Sequence, residues 1–337
     1  MDTLTGLLGG PKARGAFLLR SILTPPWSLR IEDRAPLSVV TTVRGDAWIL
    51  PEHGTPLLLH PGDVAIVRGP EPYTVADDPD TPVDVVVGPG QVCTEGGVDV
   101  SEAMSLGVRT WGRGSEDDRA SSVVLSGTYQ AEHEIGRRLL GCLPALLVRP
   151  AGTGTGSDDT LVHLLATEMG RDEPGQELVL DRILDLLVVS VLRSWLAAPD
   201  SGAPAWYRAQ HDQVVGPVLR MMHDDPATAW TVAELARRVG VSRAGLARRF
   251  TALVGEPPMA YLAGWRLAVA ADLLREPECT VAFAARKVGY SNAFALSAAF
   301  KRVRGISPQE HRRLAATGTP PQPAGFSGPA ETVILAG

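Results

Sequence analysis

The sequence predicts a multi-domain α+β protein with a strand-rich first part, a helical linker and an all-α last part. Two observations predict this arrangement. Short runs of β-forming residues, punctuated by Pro and Gly, extend from Trp27 to about Val87. Further on, a pattern of helix, turn and helix occurs twice between Thr231 and Arg312, first at an offset of 49 residues and then of 50.

The distribution of charge indicates two modules with different partners. The net charge of the 337 residues is −6, and 45% of them are hydrophobic, which is enough for sizeable cores. Residues 1–207 hold 16 basic and 28 acidic side chains, whereas residues 208–315 hold 16 and 9. An acidic first part and a basic last part are typical of a sensing module fused to one that binds a polyanion.

Residues 1–150 are predicted to form the first domain. A short helix is expected within residues 1–23, followed by strands in LSVVTTVRGDAWIL and TPLLLHPGDVAIVRG, one more strand at 123–130, and a helical segment over 133–150. Short strands at regular spacing favour a sandwich or barrel.

Residues 151–205 are predicted to form a helical linker, with helices at 161–170 and 177–198. The second helix is apolar on most sides, which indicates burial. Two roles remain open for it, an ordinary core helix or a dimer helix. Residues 206–315 are expected to form the last domain, and the Gly- and Pro-rich tail at 316–337 is expected to be disordered.

The first copy of the repeat has the signals of two short helices. Thr231 and Glu234 form a capping-box pattern, Gly240 suits the left-handed turn that ends a helix, and Ser242 caps a second helix over 242–254. Its predicted inward residues are Leu246, Phe250 and Leu253. Its predicted outward residues are Arg243, Ala244, Ala247 and Arg248.

The second copy keeps this scaffold and changes its surface. Gly289 matches Gly240 and Ser291 matches Ser242, and a helix over 261–276 joins the copies. The predicted inward residues are Leu296, Phe300 and Val303. The predicted outward residues are Ala293, Phe294, Ser297 and Ala298. Polar side chains for bases or phosphates are supplied by Asn292, Ser297, Lys301 and Arg302.

Residues 210–313 resemble the DNA-binding domain of the AraC/XylS family of bacterial transcription regulators. The resemblance rests on A-x-x-V-G-x-S in each copy, on the run Gly305-Ile306-Ser307-Pro308, and on Arg312. It implies two recognition helices in adjacent segments of the DNA major groove, with double-stranded promoter or operator DNA and RNA polymerase as partners. The candidate DNA-binding residues are Ser242, Arg243, Ala244, Ala247, Arg248, Ser291, Asn292, Ala293, Ser297, Lys301 and Arg302.

One departure from the family pattern separates the two copies. Family members often carry an Arg in the second motif at the position that matches Arg248, and here that position is Ala298. Arg pairs bidentately with guanine, whereas Ala offers no hydrogen bond. The hypothesis is therefore that the first motif reads bases and the second mainly positions the domain.

The first domain resembles a cupin jelly roll of the kind that is fused to AraC-family domains as a sensor. The turn Pro61-Gly62-Asp63 is its most specific mark. The resemblance implies a regulator controlled by a small-molecule effector or by a redox signal. Trp27, Trp48 and Tyr73 are candidate walls of an effector pocket.

Metal chemistry is not expected in this domain. Metal-dependent cupins carry an H-x-H pair, which is missing here; His53 and His60 are isolated, and Tyr73 takes the approximate place of a further His ligand. We therefore expect no metal, no cofactor and no enzyme. The alternative reading is a cupin-type metal-dependent enzyme with an accessory DNA-binding domain. A DNA-repair enzyme would need a zinc centre that three scattered cysteines cannot build, and a nucleoid-type DNA binder fits poorly with an acidic first half.

Cys93 is the candidate for a redox role, because it follows a predicted strand in a polar, Gly-rich loop and is expected to be exposed. Cys142 is expected to be inert packing. A signal peptide is not apparent, and the apolar run at 183–192 is too short for a membrane span. The expected location is the bacterial cytoplasm, at nucleoid DNA, as a monomer or homodimer.

Overall fold

The computed structural model describes residues 17–115, 117–129, 140–153, 157–198, 203–316 and 332–335. Two compact units emerge. The strand-rich unit contains the described residues up to 129, those from 142 to 198, and 332–335, whereas the helical unit contains 203–316 together with residues 140 and 141.

The strand-rich unit is built from two sheets. Its strands are β1 (Phe17–Leu23), β2 (Ser28–Ile31), β3 (Leu37–Arg44), β4 (Ala47–Pro51), β5 (Leu57–Leu59), β6 (Val64–Arg68), β7 (Tyr73–Ala76), β8 (Val85–Val87), β9 (Cys93–Glu95), β10 (Val98–Asp99), β11 (Ser105–Gly107), β12 (Thr110–Gly112), β13 (Ser122–Tyr129), β14 (Leu146–Arg149) and β15 (Thr332–Ile334). One sheet has the order β11-β12-β1-β13-β3-β6-β14-β15, and the other β10-β9-β8-β2-β7-β4-β5. The α+β class with a strand-rich first domain is thereby confirmed.

Side chains from both sheets meet in one apolar core. Val40 on β3 and Val148 on β14 belong to the first sheet, Ile49 on β4 and Val75 on β7 to the second, and all four are buried in the same cluster. Because successive side chains of a strand point to opposite faces, this core collects alternate residues from each strand. The unit is therefore a two-layer β-sandwich.

Two predicted helices in this unit are wrong. Phe17–Leu23, expected within a short N-terminal helix, pairs antiparallel with β13, and Leu146–Arg149, expected within a helical segment, pairs antiparallel with β6. Both segments are short apolar runs, whose periodicity cannot separate a buried strand from a helix. The remainder of both predicted helices lies mostly outside the described residues.

The expected disorder of the tail does not hold for Thr332–Ile334. This segment pairs in parallel with β14, from Leu146 opposite Thr332 to Val148 opposite Ile334. The N–H of Leu335 donates to the carbonyl of Val148 (2.8 Å), and the Leu335 side chain is buried. A short β-branched segment thus covers an edge strand that would otherwise expose unpaired backbone groups.

Two helices belong to the same unit as the sheets, α1 (Ser157–Met169) and α2 (Gln176–Ala197). A Cβ added at Gly127 on β13 would lie 2.8 Å from the Leu184 side chain, so α2 packs directly on that strand. The Tyr129 hydroxyl lies 3.2 Å from the Asp185 carboxylate. The region expected as a separate linker is therefore packed on the first sheet.

A buried arginine joins β14 to α1. Arg149 is 1% exposed, and its Nε lies 3.2 Å from the Asp158 carboxylate, which is also buried. Its terminal nitrogens contact the Asp159 carboxylate (3.2 Å) and the carbonyl of Thr153 (3.1 Å). Asp63 of the Pro-Gly-Asp turn accepts from the N–H of Ala151 (2.7 Å) nearby. These ion pairs and hydrogen bonds therefore fix the segment that connects β14 to α1.

The helical unit contains α3 (Ala205–Arg208), α4 (Val215–Asp224), α5 (Val232–Arg238), α6 (Arg243–Val254), α7 (Pro258–Leu273), α8 (Val281–Lys287), α9 (Ala293–Arg304) and α10 (Pro308–Ala316). Helix α7 connects two cores. Tyr261 and Leu262 near its start are buried with Leu246 and Phe250, whereas Leu267 and Ala271 near its end are buried with Leu296 and Phe300. The predicted joining helix is confirmed, and it makes one body of the two motifs.

The two turn glycines provide a matched stability test. Gly240 and Gly289 both have positive φ, 70° and 80°, but only Gly289 is crowded: an added Cβ would lie 2.6 Å from the carbonyl oxygen of Ala227. Gly240→Ala should cost about 1 kcal/mol through left-handed strain alone. Gly289→Ala should cost clearly more, measured as the urea-unfolding free energy of the helical unit. Equal costs would show that the contact with Ala227 does not matter.

Candidate DNA interface and sensor core

Residues next to helix α6 define both of its ends. The Ser242 hydroxyl accepts from the N–H of Gly245 (3.0 Å), and Gly255 ends the helix in the left-handed conformation. Leu246 and Phe250 are fully buried, as predicted. The prediction that Leu253 faces inward is wrong, since it is 37% exposed and Val254 is buried instead. The buried stripe of α6 therefore consists of Leu246, Phe250 and Val254, at i, i+4 and i+8.

Helix α9 starts one residue later than the match of Ser291 to Ser242 predicts. Asn292 is its cap, accepting from the N–H of Ala295 (2.9 Å), while Ser291 lies in the turn. The one-residue insertion thus lengthens the turn and keeps the two helices in register at an offset of 50 residues. Val303 was predicted to face inward, and it is 61% exposed; the buried position is Ala299.

Two arginines of α6 face solvent without a partner. Arg243 and Arg248 are exposed, and neither has an ion pair or hydrogen bond to any residue that the structure describes. Ala244 is exposed beside them, and Ala247 is half-buried. Free guanidinium groups on a recognition helix can pair with guanine or with phosphate.

Arg249, the next residue along, has a different role. Its Nε and terminal nitrogen lie 3.1 and 2.7 Å from the Asp212 carboxylate. Burial opposes ionisation of Asp212, but these hydrogen bonds and those from the N–H groups of Val214 and Val215 lower its pKa. Arg249 therefore anchors α6 to the residues before α4. The spacing of residues along the sequence could not predict this contact.

The outward face of α9 has less polar reach. Ser297 is half-buried, and its hydroxyl donates to the carbonyl of Ala293 (2.8 Å), which is also half-buried. Lys301 and Arg302, in the last turn, are exposed cations. The structure therefore places the candidates of the second motif along one helix, with the charges at its far end.

The helix before α6 carries a small ion-pair network. Thr231 caps α5 by accepting from the N–H of Glu234 (3.1 Å), as predicted. The Glu234 carboxylate turns instead to Arg237 and Arg238 (2.8 and 2.9 Å), and their hydrogen bonds lower its pKa to about 2. Both arginines are exposed and Glu234 is half-buried at the surface, so salt screens the network and it contributes little to stability.

The three predicted effector residues do not share one side of a sheet. Trp27 and Tyr73 are buried in the core between the sheets, where burial raises the pKa of the Tyr73 hydroxyl. Trp48 alternates with the fully buried Ala47 and Ile49 on β4, so its half-exposed ring lies on the outer face. Period-2 alternation in AWILP was the signal that would have separated Trp48 from the other two.

The prediction that Cys93 is exposed is wrong. It starts β9, is 5% exposed, and its thiol donates to the carbonyl of Gln91 (3.7 Å). Burial raises its pKa, which keeps the thiol protonated and unreactive at neutral pH. Cys142 is half-buried and its pKa is likewise raised by burial.

Two buried indoles of the sandwich core lack hydrogen-bond partners. The Nε1 groups of Trp27 and Trp111 have no acceptor among the described residues, although both rings lie in the same buried cluster. Buried donors are normally paired, which makes these two N–H groups available to an acceptor; the Nε1 groups of Trp195 and Trp265 are open in the same way among the described residues. The prediction from sequence did not include Trp111, whose burial depends on strand pairing far along the chain.

The two histidines considered as ligands lie apart. His60 is exposed, with Nδ1 3.1 Å from the Asp46 carboxylate, and His53 is exposed in a loop. In the part of the chain that the structure describes, no three His, Cys, Asp or Glu residues are grouped as for a metal ion. Nor is any described helix long and apolar enough to cross a membrane.

Comparison with known proteins matches both units. Residues 2–197 match the model of a cupin family, and residues 235–314 match that of a helix-turn-helix domain. An AraC-like transcription regulator of Streptomyces lividans is 32% identical over 318 residues, covering 93% of this chain and 98% of that protein. One from Streptomyces antibioticus is 29% identical over 93% and 99%.

Among solved structures, the DNA-binding domain of AdpA, a global transcriptional factor in complex with a target DNA, is 28% identical over 32% of this chain and 95% of that one, with a TM-score of 0.30. The double motif with its exposed arginines, the β-sandwich before it and the full-length relatives lead to one conclusion. The chain belongs to the AraC-like transcription regulators, and it is a DNA-binding regulator with an N-terminal cupin domain.

Proposed function

We propose that this regulator recognises a specific operator through α6, with Arg243 and Arg248 reading base edges while α9 positions the domain. The observation that carries the proposal is the pair of exposed arginines on the outward face of α6, which have no partner among the residues that the structure describes. Arg bound to guanine O6 and N7 is the commonest specific contact in a major groove. Its place of action would be chromosomal DNA in the cytoplasm.

Selection of DNA from a random pool by the full chain tests this proposal. We expect an enriched sequence whose affinity exceeds that of scrambled DNA by about a thousandfold or more at physiological salt. Binding that does not distinguish the enriched sequence from scrambled DNA would contradict it. Such a result would leave a regulator that binds DNA only through its charge.

We also propose that the cupin domain senses a small molecule that accepts hydrogen bonds. The open Nε1 donors of Trp27 and Trp111 support a small molecule with a carbonyl or carboxylate group in the core of the sandwich. A ligand that satisfies buried donors gains more than one that leaves them unpaired.

A thermal-shift panel of carboxylates, amides and ketones, each paired with the hydrocarbon of the same size, tests this sensor proposal. Compounds of the panel that bind should raise the unfolding temperature of the wild-type chain. Trp111→Phe keeps an aromatic side chain but removes the indole N–H donor, so it should abolish that rise, whereas the same change at Trp48 on the outer face should not. A rise of equal size in Trp111→Phe would contradict the proposal.

We propose further that α2 forms a homodimer contact. Three apolar side chains on one side of α2 are exposed: Leu178 (61%), Val179 (44%) and Leu186 (56%). Leu186→Glu should lower the dimer fraction in sedimentation velocity at micromolar concentration, because it places a charge in an apolar contact. Val98→Glu, at an exposed apolar site on β10, is the matched control. A wild-type chain that sediments as a monomer would exclude the dimer.

A further inference from the structure

Phe294 is the most exposed large hydrophobic side chain among the described residues, at 88%. It lies in the first turn of α9, directly after the cap Asn292 and Ala293. In helix-turn-helix proteins, the N-terminal residues of the recognition helix contact the base edges. The aromatic ring therefore stands where the second motif is expected to meet DNA.

The ring is on the outward stripe of the helix and plays no part in the core. The inward residues of α9 are Leu296, Ala299 and Phe300, all buried. Phe294 lines up with Ala298 and Lys301 at spacings of i, i+4 and i+7, on the opposite side. At the offset of 50 residues it matches Ala244 of the first motif.

The outward face of α9, the second recognition helix, is less polar and more apolar than that of α6. Arg248 of the first motif is replaced by Ala298, whose small side chain leaves the neighbouring Phe294 ring uncovered. Two polar groups near the start of the helix are engaged, since the Asn292 amide oxygen accepts from the N–H of Ala295 and the Ser297 hydroxyl donates to the carbonyl of Ala293. The Asn292 amide nitrogen has only a long contact, 3.4 Å, with the Ser291 hydroxyl.

The major groove presents one apolar group on the base edges, the 5-methyl group of thymine, and Phe is among the side chains that contact it. We propose that Phe294 is the specificity-determining residue of the second motif and packs against a thymine methyl group. This inference rests on the proposed recognition of an operator and changes one part of it, because α9 then contacts a base in addition to positioning the domain. The second motif then reads sequence by an apolar contact, while the first reads it by hydrogen bonds.

Replacing single thymines by deoxyuridine in the selected operator tests this contact, because deoxyuridine lacks only the methyl group. Wild-type affinity should fall about fourfold at one thymine position, the value of burying one methylene-sized group. Phe294→Ala should lose affinity for the thymine operator and become indifferent to thymine or deoxyuridine at that position. Phe294→Leu should retain part of the discrimination.

Phe283→Ala is the control, since it removes a half-exposed Phe of the same motif from α8 rather than from α9; it should discriminate as the wild type does. The proposal is overturned if no thymine position responds in the wild type, or if Phe294→Ala keeps the wild-type ratio. Should the pool give no enriched operator, the proposed function itself fails and this inference with it. If the pool gives an enriched operator but its affinity does not depend on any thymine methyl group, only the role of Phe294 is rejected.

Discussion

Arg248→Ala is expected to lower the affinity for the selected operator about tenfold to hundredfold, the value of one bidentate contact with guanine. Affinity for scrambled DNA should fall far less, because Arg248 has no matched guanine there and can contribute only a contact with phosphate, which does not depend on sequence. Arg248 is exposed and does not contribute to the core, so the variant should fold normally. Fluorescence anisotropy titrations on both DNAs at one salt concentration measure the two losses.

Lys301→Ala is the matched control for this prediction, because Lys301 is an exposed cation at the far end of the other recognition helix. Its loss should weaken binding to both DNAs evenly and reduce the slope of log affinity against log salt by about 1. If Arg248→Ala also weakens both DNAs equally, Arg248 contacts phosphate and the reading by α6 is refuted.

Arg149→Ala is expected to have the largest effect on stability. The change would leave Asp158, 2% exposed, without its cation, and breaking a buried pair in this way costs about 3–5 kcal/mol. Arg149 also holds the carbonyl groups of Pro150 and Thr153, so the link from β14 to α1 should open first. Hydrogen exchange measured by mass spectrometry over 143–170 reports this local free energy.

Arg30→Ala supplies the comparison, because the ion pairs of Arg30 with Glu32 and Glu52 lie at the surface. Surface pairs of this kind are worth about 0–1 kcal/mol. The double variant Arg149→Met, Asp158→Leu should recover much of the loss, since it removes the unpaired charge. A cost for Arg149→Ala as small as that for Arg30→Ala would mean that water reaches Asp158.

The helical unit could be predicted well from the sequence because its signals are local. Capping residues such as Thr231, turn glycines such as Gly240 and apolar spacing define helices within a few residues along the chain. The errors arose where the surroundings decide. Leu253 and Leu146 have ordinary apolar character, and nothing in their local sequence shows that the first is exposed and that the second lies in a strand.

The sensor site was harder to predict because its parts come from distant strands. Trp27 and Trp111 meet in one core through the pairing of strands far apart in sequence, and Cys93 is buried by the same packing. Alternation along β4 would have assigned Trp48 to the outer face, whereas the pairing of Thr332–Ile334 with β14 depends on a contact that no local pattern encodes.

The central claim is that two copies of one scaffold read DNA by different chemistry. The most direct test is the affinity of the wild-type chain for every single base-pair substitution of the selected operator. We predict strong dependence on guanine in the segment bound by α6, and in the neighbouring segment a weaker dependence centred on one thymine methyl group. Equal and strong dependence on hydrogen-bonding base edges in both segments would contradict the account.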